Sequence, residues 1–390
     1  MRTTVADPVY LKRKKRFKLL TETLMSGLFC SLLPRGNPKK PDQIKKVLII
    51  RHNALGDAVV SSVLIQALST RFPGVQVDVL ASRYNKEAFT WIPGVDRIHT
   101  WPEGTSQRWQ LIKSLRQEGY DVVLQTLFDE NYMSRSIVAR MIAGTGWLIG
   151  HDRGTPFARL LDDAITLPFG AYTGKLLSLL QNLQPEGAHA LSNALRRYQL
   201  VFPQDVEQAA TRSLESVGLQ PKGFVLLNLS AREPTRNLSV EQAVFLANAL
   251  AQEGHAVLLS CAPGDKDRAE QVRRASPTLL SCEFNSTGHA MCVASKAKLY
   301  VGPDTGTAHF AAVTSTPCVS LFHSGGRPES WSPYGTSYVS IQAHVGRLVK
   351  DIDPAFILRQ AKTLLKGEDT MVIVKTPTDF YAPTPDTRHP

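Results

Sequence analysis

The 390-residue sequence is poor in the features that would class it at a glance. Its five cysteines (Cys30, Cys261, Cys282, Cys292, Cys318) are scattered, with no C-x-x-C and no histidine at metal-ligand spacing. That pattern excludes a zinc site or a disulfide framework and reads as reduced, mostly buried thiols in a cytosolic protein. No G-x-G-x-x-G follows a leading strand, so the dinucleotide fingerprint is missing. No D-x-D stands in a metal-binding context. No apolar run is long and uninterrupted enough to read as a membrane span. What is present, 43% hydrophobic and 20% charged residues, describes an ordinary globular chain, and its length suits two domains better than one core.

Charge is distributed unevenly. The formal net charge is +11, and residues 1–46 hold twelve Lys/Arg against three acids, which accounts for +9 of it. The remaining body is close to neutral, which argues against a nucleic-acid-binding face. Within the arm, the basic cluster LKRKKRFK (11–18) precedes an apolar but interrupted stretch (19–33). Phe17, Leu20, Leu24 and Leu28 share one helical face there. The outline of a signal peptide is present, but no A-x-A site follows it. Residues 11–33 fit better as a basic amphipathic segment lying on an anionic cytoplasmic leaflet, with a solvated tail as the alternative. PRGNPKKP (34–41) then reads as a linker.

From Lys46 onward, apolar runs alternate with helical periodicities. Lys46–Arg51, Gln76–Ala81, Arg97–Thr100 and 121–127 read as strands, interleaved with helices over 58–71, 106–118 and 134–143. Residues 149–170 read as loop-rich and 176–200 as mostly helical. A second alternation opens at 223–229, continues through a helix that Ser239 and Gln242 start with a capping box, and includes a strand at 255–260. Such alternation builds doubly wound parallel sheets. The end, 367–390, is rich in Pro and Thr and is expected to lack fixed structure.

Two turns carry chemistry. In KLYVGPDTGTAHFAAVTSTPCVSLF (298–322), a buried strand breaks at Gly302 into small residues that open a short helix. The first N–H groups of a helix lack partners and its dipole favours negative charge, so Thr305, Gly306 and Thr307 form a candidate anion seat. Asp304 would compete with an anion, and reads more simply as the cap of that helix. An ordinary α/β turn with His309 in the core is the plainer alternative. The other turn, HNALGD (52–57), places Asp57 at a helix start after the first strand.

VGPDTGTAHFAA, followed by TPCVSLF and WSPYG, resembles the signature region of glycosyltransferase family 9, which includes the ADP-heptose:lipopolysaccharide heptosyltransferases. Asp304, Thr305, Gly306, His309, Ala311 and Ala312 stand where the family pattern wants them, while its Phe-Gly is Phe322-His323 here. The turn ending in Gly56-Asp57 resembles the family's first motif, whose aspartate is the catalytic base. The resemblance implies a GT-B architecture, α/β, with two facing Rossmann-like domains and the site in the crevice between them. It places an acceptor domain at 45–215 and a nucleotide-sugar donor domain at 216–366, after the arm at 1–44. Donor contacts implied are Arg232 or Arg236 for the diphosphate, Asp265 for the ribose, and the Asp304–Thr307 turn with His309. The family's K-x-W-P is Arg236-Asn237-Leu238-Ser239 here, and its ribose-binding acid is one methylene shorter. Asn53, Arg153, His151 and Arg159 are candidate acceptor contacts, and Asp129 and Glu130 weaker ones.

The implied activity is inverting transfer, without metal or cofactor, from ADP-L-glycero-D-manno-heptose to the lipopolysaccharide inner core. The implied setting is peripheral, on the inner face of the inner membrane. Three alternatives stay open: another nucleotide-sugar donor, an NAD(P)-dependent oxidoreductase, and a catalytically silent nucleotide-binding protein.

Overall fold

The computed structural model describes residues 40–127, 132–183 and 200–376, with positions 24, 25, 27, 28, 31 and 32 in a helical stretch. The basic cluster at 11–18, the acids at 129–130 and the end from 377 lie outside the described residues. Two compact units divide the rest. One runs to Phe169 and resumes at Thr173; the other takes Gly170–Tyr172 and the described residues from 200.

The first unit is built on a six-stranded parallel sheet of β1 (Lys46–Arg51), β2 (Gln76–Ala81), β3 (Arg97–Thr100), β4 (Val122–Gln125), β5 (Trp147–Asp152) and β6 (Asp163–Thr166). Their order is β3-β2-β1-β4-β5-β6, so the chain reverses direction across the sheet between β1 and β4. The apolar run of β1 is buried because β2 and β4 flank it in register, Ile49 facing Val79 and Leu124. Fully burying each such Val, Leu or Ile contributes about 1.5–3 kcal/mol. Running the strands in parallel puts every strand's C-terminal turn at one edge, where open α/β sheets bind ligands.

The second unit has seven strands: β7 (Phe224–Asn228), β8 (Ala256–Ser260), β9 (Leu280–Ser281), β10 (Leu299–Pro303), β11 (Cys318–Phe322), β12 (Tyr338–Gln342) and β13 (Met371–Lys375). Their order is β13-β12-β11-β10-β7-β8-β9, with the reversal between β10 and β7. One apolar cluster runs beneath it, from Val225 and Leu227 through Leu246 and Leu250 to Ile357.

Several expectations fail here for identifiable reasons. The stretch 149–170 is not mainly loop: β5, β6 and a short 3-10 helix (Pro156–Leu160) fill it. Polar residues hide these strands, yet His151 is fully buried in β5. Residues 371–375 form the edge strand β13, paired Val339 to Val372 with β12, where fixed structure was not expected. The helix expected over 58–71 is two helices, Leu55–Val60 and Ser62–Arg71, meeting at Ser61, whose hydroxyl donates back to the Asp57 carbonyl at 2.7 Å. Helix Gln204–Ser216, placed in the first domain by a boundary at 215, belongs to the second unit and packs on Thr287–Ser295. Its buried Ala210 and Leu214 provide that face. The capping box is present: Gln242 N–H donates to Ser239 Oγ at 3.1 Å, and Ser239 N–H to Gln242 Oε1 at 2.9 Å.

Candidate active site

In the first unit, β1 stops at Arg51 and the next turn delivers Asp57 to the first turn of helix Leu55–Val60. The Asp57 carboxylate accepts from Arg51 Nη2 at 2.7 Å and from the Ala54 N–H at 2.9 Å. It therefore caps its own helix, and Ala54 has no side-chain oxygen to return the bond. Arg51 is wholly buried, while the Asp57 side chain is 12% exposed. One carboxylate is thus held by a buried arginine and a backbone N–H while part of it stays exposed. A carboxylate so placed can accept a proton from a hydroxyl brought to that open side.

Around it, Arg135 donates to Asn53 Oδ1 at 2.9 Å. His52 stacks on Trp101 with ring centroids 5.5 Å apart, and Arg108 lies over the other ring of that pair at 5.6 Å. Burial, reinforced by the positive charges of Arg135, Arg51 and Arg108, lowers the His52 pKa to about 3, so its imidazole is neutral. The remaining acceptor expectations separate. Arg153 and Arg159 are exposed. His151 is not an acceptor contact: it is fully buried, bonds Ser178 Oγ at 2.9 Å, and burial lowers its pKa to about 4.

In the second unit, the turns after β7 and β10 adjoin at the reversal point. Helix Gly306–Val313 starts at Thr305, whose own side chain makes no capping bond. The Asp304 carboxylate lies 3.7 Å from His309 Nε2 and 3.6 Å from Arg236 Nη1. Arg236 also lies 3.3 Å from Glu233. Of the two arginines left open by sequence, Arg236 is the one brought to this turn; Arg232 is exposed in its loop. His309 is 6% exposed and packs its edge on Trp331, which stacks on Tyr172 at 4.3 Å. Asp265, after β8, pairs with Arg268 at 3.0 Å. Burial works against its charge, but the Ser230 hydroxyl and Arg268 outweigh it and hold the carboxyl below the usual range.

Sequence reasoning missed the supports of this turn. Tyr300, fully buried, donates to the Pro303 carbonyl at 2.8 Å and lies 3.3 Å from Thr305 Oγ1, while Asn228 donates to the Tyr300 hydroxyl at 3.1 Å. Gly302 has to be glycine because a Cβ there would come within 2.8 Å of Asn228 and of the Tyr300 hydroxyl. The available signal was polar residues ending wholly apolar runs, Asn228 in FVLLN and Arg51 in KVLIIR.

Comparison with known proteins agrees with this layout. The solved glycosyl transferase family 9 protein from Veillonella parvula DSM 2008 matches with a TM-score of 0.71 at 15% identity, covering 85% of this chain and 100% of that one. The Escherichia coli heptosyltransferase WaaC, solved with ADP, matches with a TM-score of 0.62 at 17% identity, over 83% and 99%. Both share the α/β GT-B fold of two Rossmann-like parallel-sheet units. In sequence, lipopolysaccharide heptosyltransferase 2 of Escherichia coli K12 is 25% identical over 364 residues, 83% of this chain and 99% of that protein. The model of glycosyltransferase family 9 (heptosyltransferase) matches residues 108–350, more than half of the chain. The chain belongs to that family and is a glycosyltransferase.

Proposed function

We propose that the chain transfers heptose from ADP-L-glycero-D-manno-heptose, with inversion and without a metal, to a sugar of the lipopolysaccharide inner core. The observation that carries the reading is Asp57, an ion-paired carboxylate with one open side at the C-terminal edge of β1. In this reading it takes the proton of the acceptor hydroxyl as that oxygen attacks the anomeric carbon. The C–O bond to the diphosphate breaks as the new glycosidic bond forms. Charge developing on the departing ADP is met by the first N–H groups of helix Gly306–Val313 and by Arg236. Asp265 serves the ribose, and Asn53 and Arg153 the acceptor. The WaaC structure with ADP supports an adenine nucleotide as the leaving group.

The test is turnover of ADP-heptose with a deacylated inner-core acceptor, read as ADP release and a product heavier by one heptose. Neither ADP nor product would end the reading. A second reading keeps the family and changes the sugar nucleotide. It is favoured by Arg236-Asn237-Leu238 at the phosphate turn and by the Asp265–Arg268 pair. A thermal-shift panel of ADP-, UDP-, GDP- and CMP-sugars separates the two, because a bound donor stabilises only the folded state.

The proposal extends to a membrane surface. Leu24, Leu28 and Leu32 recur on one helical face and are 66%, 52% and 67% exposed, and in the sequence they follow the basic cluster at 11–18. Among the described residues no helix is long and apolar enough to cross a membrane. Deleting residues 1–40 should abolish sedimentation with anionic liposomes while sparing turnover of a soluble acceptor. Equal liposome binding by both forms would refute it.

A further inference from the structure

We infer that Arg51 and Asn85 act together as positioning residues for Asp57, fixing the direction in which its carboxylate faces; the inference rests on Asp57 being the base. Arg51, 0% exposed, ties the Asp57 turn to the end of β4. Nη2 reaches Asp57 Oδ1 at 2.7 Å, Nε the Asp57 carbonyl at 3.2 Å, and Nη1 the Thr126 carbonyl at 2.8 Å. Gripping the side chain and the backbone of the same residue leaves that side chain little rotational freedom. The second carboxylate oxygen is held by the Ala54 N–H. Turning the carboxylate about its own axis would break one of these charge-assisted bonds.

Asn85 performs the same task one step back. It is fully buried in the turn after β2 and donates from Nδ2 to the Arg51 carbonyl at 2.9 Å and the Ala54 carbonyl at 3.5 Å. Its Oδ1 accepts from the Ser82 N–H at 2.8 Å, and the Ser82 hydroxyl donates to the Asn53 carbonyl at 3.0 Å. The carbonyls of 51, 53 and 54 are therefore tied to the neighbouring turn. The loop carrying Asp57 cannot shift without breaking buried polar contacts, and unsatisfied buried polar groups are costly. A proton acceptor displaced by about 1 Å loses much of its value in a positioned reaction.

The experiment is a set of kinetic cycles on the full-length enzyme. Arg51→Gln should lower kcat about tenfold or more with donor KM changed less than about twofold. Arg51→Lys should recover part of it, replacing the Oδ1 contact but not the backbone ones. Asn85→Ala should lower kcat several-fold. In an Asp57→Asn background none of the three should lower kcat further, because each acts only through that carboxylate. If Arg51→Gln fails to fold, Arg51→Lys and Asn85→Ala carry the cycle. Wild-type kcat in those two, or an undiminished effect in the Asp57→Asn background, overturns the inference. Near-wild-type kcat in Asp57→Asn alone instead overturns the base assignment.

Discussion

The strand-end turns of the two units handle charge in opposite ways. In the first, Asp57 is paired at 2.7 Å with an arginine that has no solvent exposure. In the second, Asp304 lies 3.6 Å from Arg236 and 3.7 Å from His309, separations longer than a hydrogen bond. In the proposed reading the difference fits two tasks. A proton acceptor has to point one lone pair in one direction, and a diphosphate seat has to keep donors for its ligand.

The largest effect that tests this contrast is at Asp57. Asp57→Asn keeps the shape and removes the basicity, so kcat should fall about a hundredfold or more, near 2.7 kcal/mol of barrier. Donor KM should hardly move, since the donor turn lies in the other unit. A mutant that loses donor binding instead would make Asp57 a structural cap and dissolve the division of labour.

The legible parts of this protein were those where one physical signal dominates. KVLIIR and CVSLF are apolar runs, and β1 and β11 have the expected bounds. β5 and β6 were hidden because His151 takes a buried strand position and Asp163 a half-buried one, which interrupts the apolar pattern. The strand and helix start around 299–306 were legible from an apolar run followed by small residues. The approach of Arg236 to Asp304 was not, because the two stand far apart in the chain. Asn85 makes one local contact, to Ser82, but the Arg51 and Ala54 carbonyls to which it donates lie more than thirty residues away, where no local pattern points.

The next effect concerns stability in acid. The first unit holds buried His151 and half-buried His52 with pKa values lowered to about 4 and about 3, and burial lowers that of His289 in the second unit as well. A neutral buried imidazole binds its proton later than the unfolded chain does. Its stabilisation is complete above the unfolded pKa of about 6.5 and is lost as pH falls below that value. For His151 alone the loss should be about 2 kcal/mol at pH 5. Urea melts at pH 7 and pH 5 should show the first unit weakening in acid, and His151→Asn should flatten that dependence even if it lowers stability at pH 7. Unchanged pH dependence in the variant would show that the histidine is not held neutral.

A smaller effect is expected at the donor cradle. Arg236 sits between Glu233 and Asp304, and in the proposed reading it meets the diphosphate. Arg236→Ala should raise donor KM about tenfold, near 1.4 kcal/mol, with kcat changed less. An unchanged KM would move the diphosphate away from this turn.

The smallest expected effect is at Arg232, four residues earlier in the same loop. It is exposed, and a surface arginine gains little from Coulomb attraction in water while it pays side-chain entropy to be held in one geometry. Arg236, half-buried and already beside Asp304, meets the ligand with less solvent to displace and fewer rotamers to give up. Arg232→Ala should therefore change donor KM less than about twofold, and its residual effect should fade as salt is raised, because an exposed charge is screened. Parallel titrations of both variants at low and high ionic strength decide the point. A tenfold, salt-insensitive rise for Arg232→Ala would show that the exposed loop folds over the donor, and the cradle would then be assembled by the ligand instead of standing ready for it.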